Sequence, residues 1–281
     1  MHAARPGGIR RGLLRAVAVA ILILLIGATY QGVTTALERR RFPHPGRMVR
    51  ATDHQLHIDC TGEGSPTVVL EAPAAAMSAA WGWIQSELEH QTRVCSYDRS
   101  GMGWSEWGPR PYDPSRVPEE LEALLRNSNE RAPYVIVGHG LGAAFARLFA
   151  SRYPMEVRAV VLIDVPKAGA GSKVRRLLAA SPWLARAAFL RASPALARRA
   201  RGLPGAAAGE MRSFLNRPDH LTRAAIEVAQ WDHTVQLAES AAMGDVPLVT
   251  VDITGSDPLA FLSDRQAANQ AVATISRVLA R

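Results

Sequence analysis

Hydrophobic and polar positions divide the chain into three regimes. Residues 16–37 carry no charge and form one long, mostly apolar run; as a helix rising about 1.5 Å per residue it reaches roughly 33 Å, enough to cross the hydrocarbon core of a bilayer. In the second regime, residues 47–164, short apolar runs alternate with segments of helical period. Strands are predicted over 47–51 and 56–60, joined by Thr52, Asp53, His54 and Gln55 as an edge hairpin, and over 67–71, 93–97, 134–137 and 157–164. Helices are predicted over 78–89, which carries Trp81, Trp83 and Ile84, over 118–127 and over 141–152. This βαβ rhythm calls for a mostly parallel sheet covered on both faces. In the third regime, from residue 165 to about 245, the strand signal vanishes, and Ala, Leu and Arg dominate amphipathic segments broken by Pro182, Pro194, Pro204 and Pro218. A strand over 246–253 and a helix over 263–279 return the chain to the sheet. The expected organisation is a basic segment over 1–15, a transmembrane helix over 16–37, a linker over 38–46, a core in two parts, 47–164 and 246–281, and a helical cap, 165–245, inserted between them.

Composition narrows the partners. A chain of 281 residues, 48% hydrophobic and without an internal repeat, forms one large core plus appendages. Its net charge of +8 fits nucleic acid or an anionic membrane. No zinc-ligand pattern, RNA-binding aromatic pattern or helix-turn-helix signal accompanies the charge, so the bilayer is the expected partner and nucleic acid is not. Arg10, Arg11 and Arg15 ahead of the apolar run also fit a cleaved signal peptide; the length of the run and the lack of a small-x-small site after Ile26 favour an uncleaved anchor. Arg5, Arg10, Arg11 and Arg15 on one side nearly balance Arg39, Arg40, Arg41, Arg47 and Arg50 on the other, which leaves orientation open. Between residues 165 and 204 stand Lys167, Lys173, Arg175, Arg176, Arg186, Arg191, Arg198, Arg199 and Arg201 with no acidic residue, interleaved with Trp183 and Phe189. Two readings of that stretch stand: a surface resting on anionic headgroups, or a solvated helical face. No metal-ligand spacing and no cofactor motif is present, and neither group is expected.

One motif carries chemistry. Gly138-His139-Gly140-Leu141-Gly142 follows the apolar run at 134–137 and precedes a helix, the setting of a nucleophile elbow, in which a sharp strand-to-helix turn normally lifts a central serine clear of the sheet. Here the centre is Gly140, which keeps the turn and deletes the reactive oxygen. With this motif, with residues 61–66 (TGEGSP) and with 96–105 (SYDRSGMGWS), the chain from residue 56 to about 164 resembles the α/β-hydrolase family, specifically its bacterial esterase-like and lipase-like members. The resemblance implies an α/β-hydrolase fold with helices on both faces of the sheet and an inserted cap. About ten residues separate the strand at 246–253 from the final helix, too few for the family's last strand, which is expected to be missing.

The family's chemistry needs a nucleophile, a histidine base, an acid and two backbone donors for the oxyanion. Gly140 vacates the first, and no histidine follows His233, where the family order of nucleophile, acid, histidine would place the base. Asp257, just past the strand at 246–253, is the acid candidate, with Asp164 second; a turn or capping role for Asp257 is the competing expectation. The oxyanion loop reads Ala72-Pro73-Ala74-Ala75-Ala76 in place of glycines; Pro73 has no amide proton, leaving Ala74 and Leu141 as donors. His139 is expected to turn down into the sheet as a buried structural residue. His54 and His57 fall on the edge hairpin, His233 on a cap helix, and Ser96, Ser100 and Ser105 on no elbow. In the fold the strands holding Cys60 and Cys95 are neighbours, so the two either form a disulfide, implying an oxidising compartment, or remain buried thiols.

These losses coincide, and the expected function is a membrane-anchored pseudo-hydrolase whose apolar cleft still accepts a small ester or acyl ligand. Its expected place is the cell membrane, single-pass, with the globular domain on the non-cytoplasmic side. Two alternatives remain open: a working esterase or lipase using other groups, and a membrane-surface module that recruits lipid or protein.

Overall fold

The structure, a computed structural model, describes residues 6–193, 197–255, 257 and 259–281, with side chains from Arg10 onward; Arg5 and Pro194 lie outside the described residues. A long helix, α1 (Pro6–Arg41), precedes the hairpin β1 (Arg47–Arg50) and β2 (Gln55–Thr61). Then come β3 (Thr67–Glu71), α2 (Gly82–Leu88), β4 (Val94–Tyr97), α3 (Val117–Asn127), β5 (Tyr134–His139), α4 (Leu141–Arg152) and β6 (Val157–Ile163). Five helices follow: α5 (Gly171–Arg186), α6 (Phe189–Ala192), α7 (Ala207–Phe214), α8 (Pro218–Ala229) and α9 (Trp231–Ser240). The chain ends with β7 (Leu248–Val251) and α10 (Arg265–Leu279).

The sheet runs β1-β2-β4-β3-β5-β6-β7, antiparallel through β1, β2 and β4 and parallel from β4 to β7. Alternation within each central strand feeds two cores. Val68, Leu70, Val135, Val137, Val161 and Ile163 pack with α2, α10 and the cap, while Val69, Ile136, Val160 and Leu162 pack with α3 and α4. Among the described residues no strand lies between β7 and α10. Cys60 and Cys95 face one another in the β2–β4 register and are joined by a disulfide.

Several boundaries differ from the sequence reading, each for a local reason. Helix α1 extends at both ends, taking in Pro6 through Arg15 and the first four residues of the expected linker, since nothing breaks the helix before Pro43 and Arg39–Arg41 complement its C-terminal dipole. Pro182 does not break its segment: α5 runs through it, and Ser181 Oγ donates to Leu178 O at 2.8 Å, the carbonyl that the missing proline amide leaves free. The helix expected over 78–89 opens with a 3₁₀ turn, Ser78–Trp81. β6 stops before Asp164, whose φ of +51° ends the strand, and β7 is four residues long because the amides of Ile253 and Thr254 bond to the Asp164 carboxylate. α10 starts at Arg265 because Asp264 caps it, accepting from the amides of Gln266 and Ala267.

Candidate functional site

The elbow is built as a strand-to-helix turn with Gly140 at its apex, φ +55° and ψ −125°. The outer glycines are required by packing. A Cβ on Gly142 would fall on Glu71 O and Ala72 O, and one on Gly138 on Gly142 O. Gly140 is different: a Cβ there would meet only Pro73, at 3.3 Å from its Cβ, so the turn has room for a side chain and the proline ring stands over it.

Both acid candidates are engaged elsewhere. Asp164 accepts from His139 Nε2 at 3.0 Å, from Ile253 N at 2.6 Å, from Thr254 N at 3.1 Å and from Thr254 Oγ1 at 2.6 Å. Burial pushes its carboxyl up, but the bonds from His139 and Thr254 outweigh burial and bring it to about 2. His139 is buried, and its ring belongs to this structural joint. Asp257 accepts from Arg199 Nη1 at 2.5 Å and from the Leu259 amide at 3.0 Å, tying the cap to the segment after β7. The histidine that Asp164 holds is His139, which precedes Gly140 on the elbow, and among the described residues no histidine bonds to Asp257.

The loop after β3, where the resemblance expects the oxyanion donors, is braced by buried side chains. Arg99, fully buried, donates to Ala72 O at 2.6 Å, Pro73 O at 3.2 Å and Glu71 Oε1 at 2.6 Å, and through Nε and Nη2 to both carboxylate oxygens of Glu227 on α8, at 2.9 and 2.8 Å. Burial pushes Glu227 up, but the adjacent Arg99 leaves it below the ordinary carboxylate range. For Glu71 burial prevails over Arg99 and its carboxyl is raised. His220 Nδ1 accepts from the Gly103 amide at 3.1 Å, so its Nε2 carries the proton and donates to Ala75 O at 3.0 Å, at a residue held at φ +59°. Burial lowers the His220 pKa, in keeping with a neutral ring. The amide of Ala74 has no hydrogen-bond partner among the described residues, and that of Leu141 lies in the first turn of α4, where helices leave amides free.

Sequence reasoning missed Glu71, Arg99, Glu227 and His220. A glutamate closing a fully buried apolar strand was the available signal, because a buried carboxylate calls for a cation. It also missed a buried cluster beneath the edge hairpin. Asp98 Oδ2 lies 3.1 Å from His57 Nδ1, Ser78 Oγ stands 3.4 Å from the same nitrogen, and His57 Nε2 faces Pro45 O at 2.6 Å. Burial lowers the His57 pKa, yet Asp98 raises it further and the net direction is up. Both ring nitrogens of His57 face acceptors, Asp98 and Pro45 O, so the cluster, made of triad residue types, is a closed hydrogen-bonded group. Among the described residues, the His, Cys, Asp or Glu group close enough to hold an ion is Cys60, Cys95 and Glu130, and its two sulfurs are spent in the disulfide.

Above Gly140 opens a cleft of about 260 Å³. His139, Gly140 and Asp164 form its floor, Val165, Pro166, Ala170 and Trp231 an apolar wall, and Lys167, Asp252 and Asp257 polar points on its lining. Such a space suits a small, mostly apolar group with one polar end.

A family model described as alpha/beta hydrolase fold matches residues 66–233. Among curated relatives, lipase LipV of Mycobacterium tuberculosis is 33% identical over 150 residues, covering 52% of this chain and 55% of that protein. An uncharacterised vacuolar membrane protein of Saccharomyces cerevisiae is 29% identical over 132 residues, covering 41% and 20%. The chain spans less than half the length of the first curated relatives it matches, 30% of an uncharacterised Schizosaccharomyces pombe protein and 47% of YbdG of Bacillus subtilis. Among solved structures, the epoxide hydrolase CorEH superposes with a TM-score of 0.62 at 13% identity, covering 83% of this chain and 98% of its own. The enol-lactonase of Burkholderia xenovorans gives 0.59 at 16%, covering 84% and 100%. At these identities the superpositions speak to fold, and the family match spans more than half of the chain: the protein belongs to the alpha/beta hydrolase fold family.

Proposed function

We propose that this chain has left serine hydrolysis and acts as a membrane-anchored binding protein, its cleft receiving a small ester or acyl group. The observation that carries the reading is the apex of the elbow: Gly140 keeps the turn and offers no nucleophile, with Pro73 packed over it. Two further features support it. No histidine follows His233 in the sequence, and both acid candidates are committed to structural bonds. Ester hydrolysis by this fold would need a nucleophile and a base from outside the elbow, whereas binding needs only the cleft.

The membrane part of the reading rests on α1, long and apolar enough to cross a bilayer by length and composition, and on yeast relatives described as vacuolar membrane proteins. The disulfide supports placing the globular domain on the non-cytoplasmic side of the cell membrane, where it would persist. Lys173, Arg176 and Arg186 are exposed on α5 and available to anionic headgroups, while Arg191 and Arg199 are paired with Glu38 and Asp257. Nucleic acid has no part in this reading.

The test is fluorophosphonate labelling of folded full-length protein beside a p-nitrophenyl ester assay, with an intact serine hydrolase as control. The expected result is neither labelling nor turnover, together with a rise in melting temperature on adding a short acyl ester. Stoichiometric labelling or sustained turnover would overturn the proposal.

A further inference from the structure

The C-terminal half of α1 is not bare. Gln31, Thr35 and Glu38, spaced along one helix face, turn toward the cap. Gln31 Nε2 donates to Asn216 O at 2.8 Å and accepts at Oε1 from Arg191 at 2.6 Å, and Arg191 makes a bidentate pair with Glu38 at 2.7 and 2.8 Å. Ser213 adds a bond to Glu38 at 3.2 Å. One turn before Gln31, Gly27 lies so close to Ala187 O that a Cβ could not fit. Gln31 is 4% exposed, in the middle of what hydropathy alone reads as a lipid-facing span.

At that contact the cap presents apolar side chains to the outside. Trp183 is 72% exposed and Phe189 52%, with Leu184 and Leu177 also exposed on the same pair of helices. Phe189, Ala187 and Ala188 share a groove with Ile23, Ile26 and Tyr30 of α1, so the exposed apolar surface of the anchor continues onto the cap. Arg186 lies over the Trp183 ring at 5.0 Å, pairing a cation with an amphipathic aromatic as membrane interfaces do.

We propose that the α5–α6 corner, Trp183, Leu184 and Phe189, sits at the headgroup–acyl boundary of the leaflet that α1 crosses, so that the membrane surface meets α1 near Gly27 and not near Leu37. The occupant of this face is a phospholipid bilayer. The inference rests on anchorage by α1 and adds the depth at which the cap stops. With the boundary at Gly27, the polar stripe Gln31-Thr35-Glu38 stays in the protein seam above the hydrocarbon. The uncharged part of α1 below that boundary runs from Gly27 back to Ala16, about 18 Å at 1.5 Å per residue, so the anchor is short for a bilayer, and local thinning together with Arg15, Arg11 and Arg10 reaching to the far headgroups accommodates it.

The native cysteines are bonded to each other, so single introduced cysteines can be labelled with a nitrobenzoxadiazole dye in the full chain, reconstituted in phosphatidylcholine and phosphatidylglycerol vesicles. The sites are Leu184→Cys and Phe189→Cys on the corner, Ile21→Cys in the anchor, and Leu37→Cys and Met155→Cys as exposed sites away from the boundary. The quencher is phosphatidylcholine with a doxyl group high on its acyl chain. Emission at 184 and 189 is expected to fall at least twofold, with quenching also at 21, and to stay unchanged at 37 and 155. If 21 is quenched while 184 and 189 behave like 155, the corner lies outside the bilayer and the inference fails with anchorage intact. If 21 is unquenched, anchorage itself fails and the inference with it. Blue-shifted but unquenched dye at 184 and 189, changing with the protein-to-lipid ratio, would overturn it in favour of a second copy of the chain on that face.

Discussion

Asp164 joins three pieces of the fold: the end of β6, the segment after β7 and the histidine beside the elbow. Replacing it by asparagine keeps the size of the side chain, and asparagine tolerates the positive φ of this position, so the backbone need not move. What changes is chemistry. Oδ1 accepts from the amides of Ile253 and Thr254, and Oδ2 from His139, Thr254 N and Thr254 Oγ1. Whichever way the amide is turned, its NH₂ faces hydrogen-bond donors. The carboxyl sits at about 2 in the folded protein. Against an unfolded value near 3.9, that difference corresponds to about 2.5 kcal/mol of stability at neutral pH. Setting donors against donors in a mostly buried site adds about 1–3 kcal/mol to the loss.

Asp164→Asn is therefore expected to cost about 3–5 kcal/mol at pH 7, a fall in melting temperature on the order of 10 °C. Because the folded pKa lies below the unfolded one, the carboxylate's contribution is present above about pH 4 and is lost as pH falls through 2; at pH 3 about half remains. The assay is guanidinium unfolding of wild type and variant, solubilised in the same mild detergent and followed by tryptophan fluorescence, at pH 7, 5 and 3. Taking the difference between the two proteins cancels the other carboxylates. A gap under about 0.5 kcal/mol at pH 7, or one that does not narrow between pH 5 and pH 3, would refute the reasoning.

Arg99→Met leaves Glu71 and Glu227 buried without their guanidinium and is expected to cost about 3–5 kcal/mol by calorimetry or denaturant titration; adding Glu227→Met should recover part of it, and strict additivity of the two would be the contrary result. Gly140→Ser should fold, with about 1–3 kcal/mol lost to the left-handed φ and the 3.3 Å approach to Pro73, and should remain unlabelled by fluorophosphonate; a labelled serine would mean that a base reaches the elbow. Cys60→Ser with Cys95→Ser opens a loop of 35 residues and should lower stability by about 3–4 kcal/mol on the chain-entropy relation, read as a shift in the guanidinium midpoint between the two proteins.

The sheet was legible because its central strands are continuous apolar runs bounded by turn residues, and burial on both faces leaves little else for such runs to do. The elbow was legible because the close approaches at Gly138 and Gly142 force glycine into the sequence whatever stands between them. What escaped were partnerships between distant residues of mixed charge. Arg99 reaches Glu227 across 128 positions, and His220 reaches Ala75 across 145. No local period records such pairs. The docking of α1 on the cap was hidden for a related reason: hydropathy counts Gln31, Thr34 and Thr35 as uncharged, but Gln31 and Thr35 answer to Arg191, a residue 160 positions away from Gln31.

The same distant pairs explain why a hydrolase-like cleft can keep its shape when the elbow holds no serine. The loop over Gly140 carries no glycines to let it fold tightly on itself, and one of its alanines is held at a positive φ. Its carbonyls are instead fixed from outside, Ala72 and Pro73 by Arg99 and Ala75 by His220. Arg99 answers to Glu227 on α8 and His220 lies on that same helix, so the cap positions the loop, and Asp164, on the cleft lining, fixes Ile253 and Thr254 between the lining residues Asp252 and Gly255. None of these bonds involves a nucleophile or a base. A cleft framed this way is ordered before any ligand arrives, so a ligand entering it need not offset the entropy of arranging its walls. With glycine at the apex of the elbow, the frame of the cleft therefore stands on bonds that a serine there would not have made.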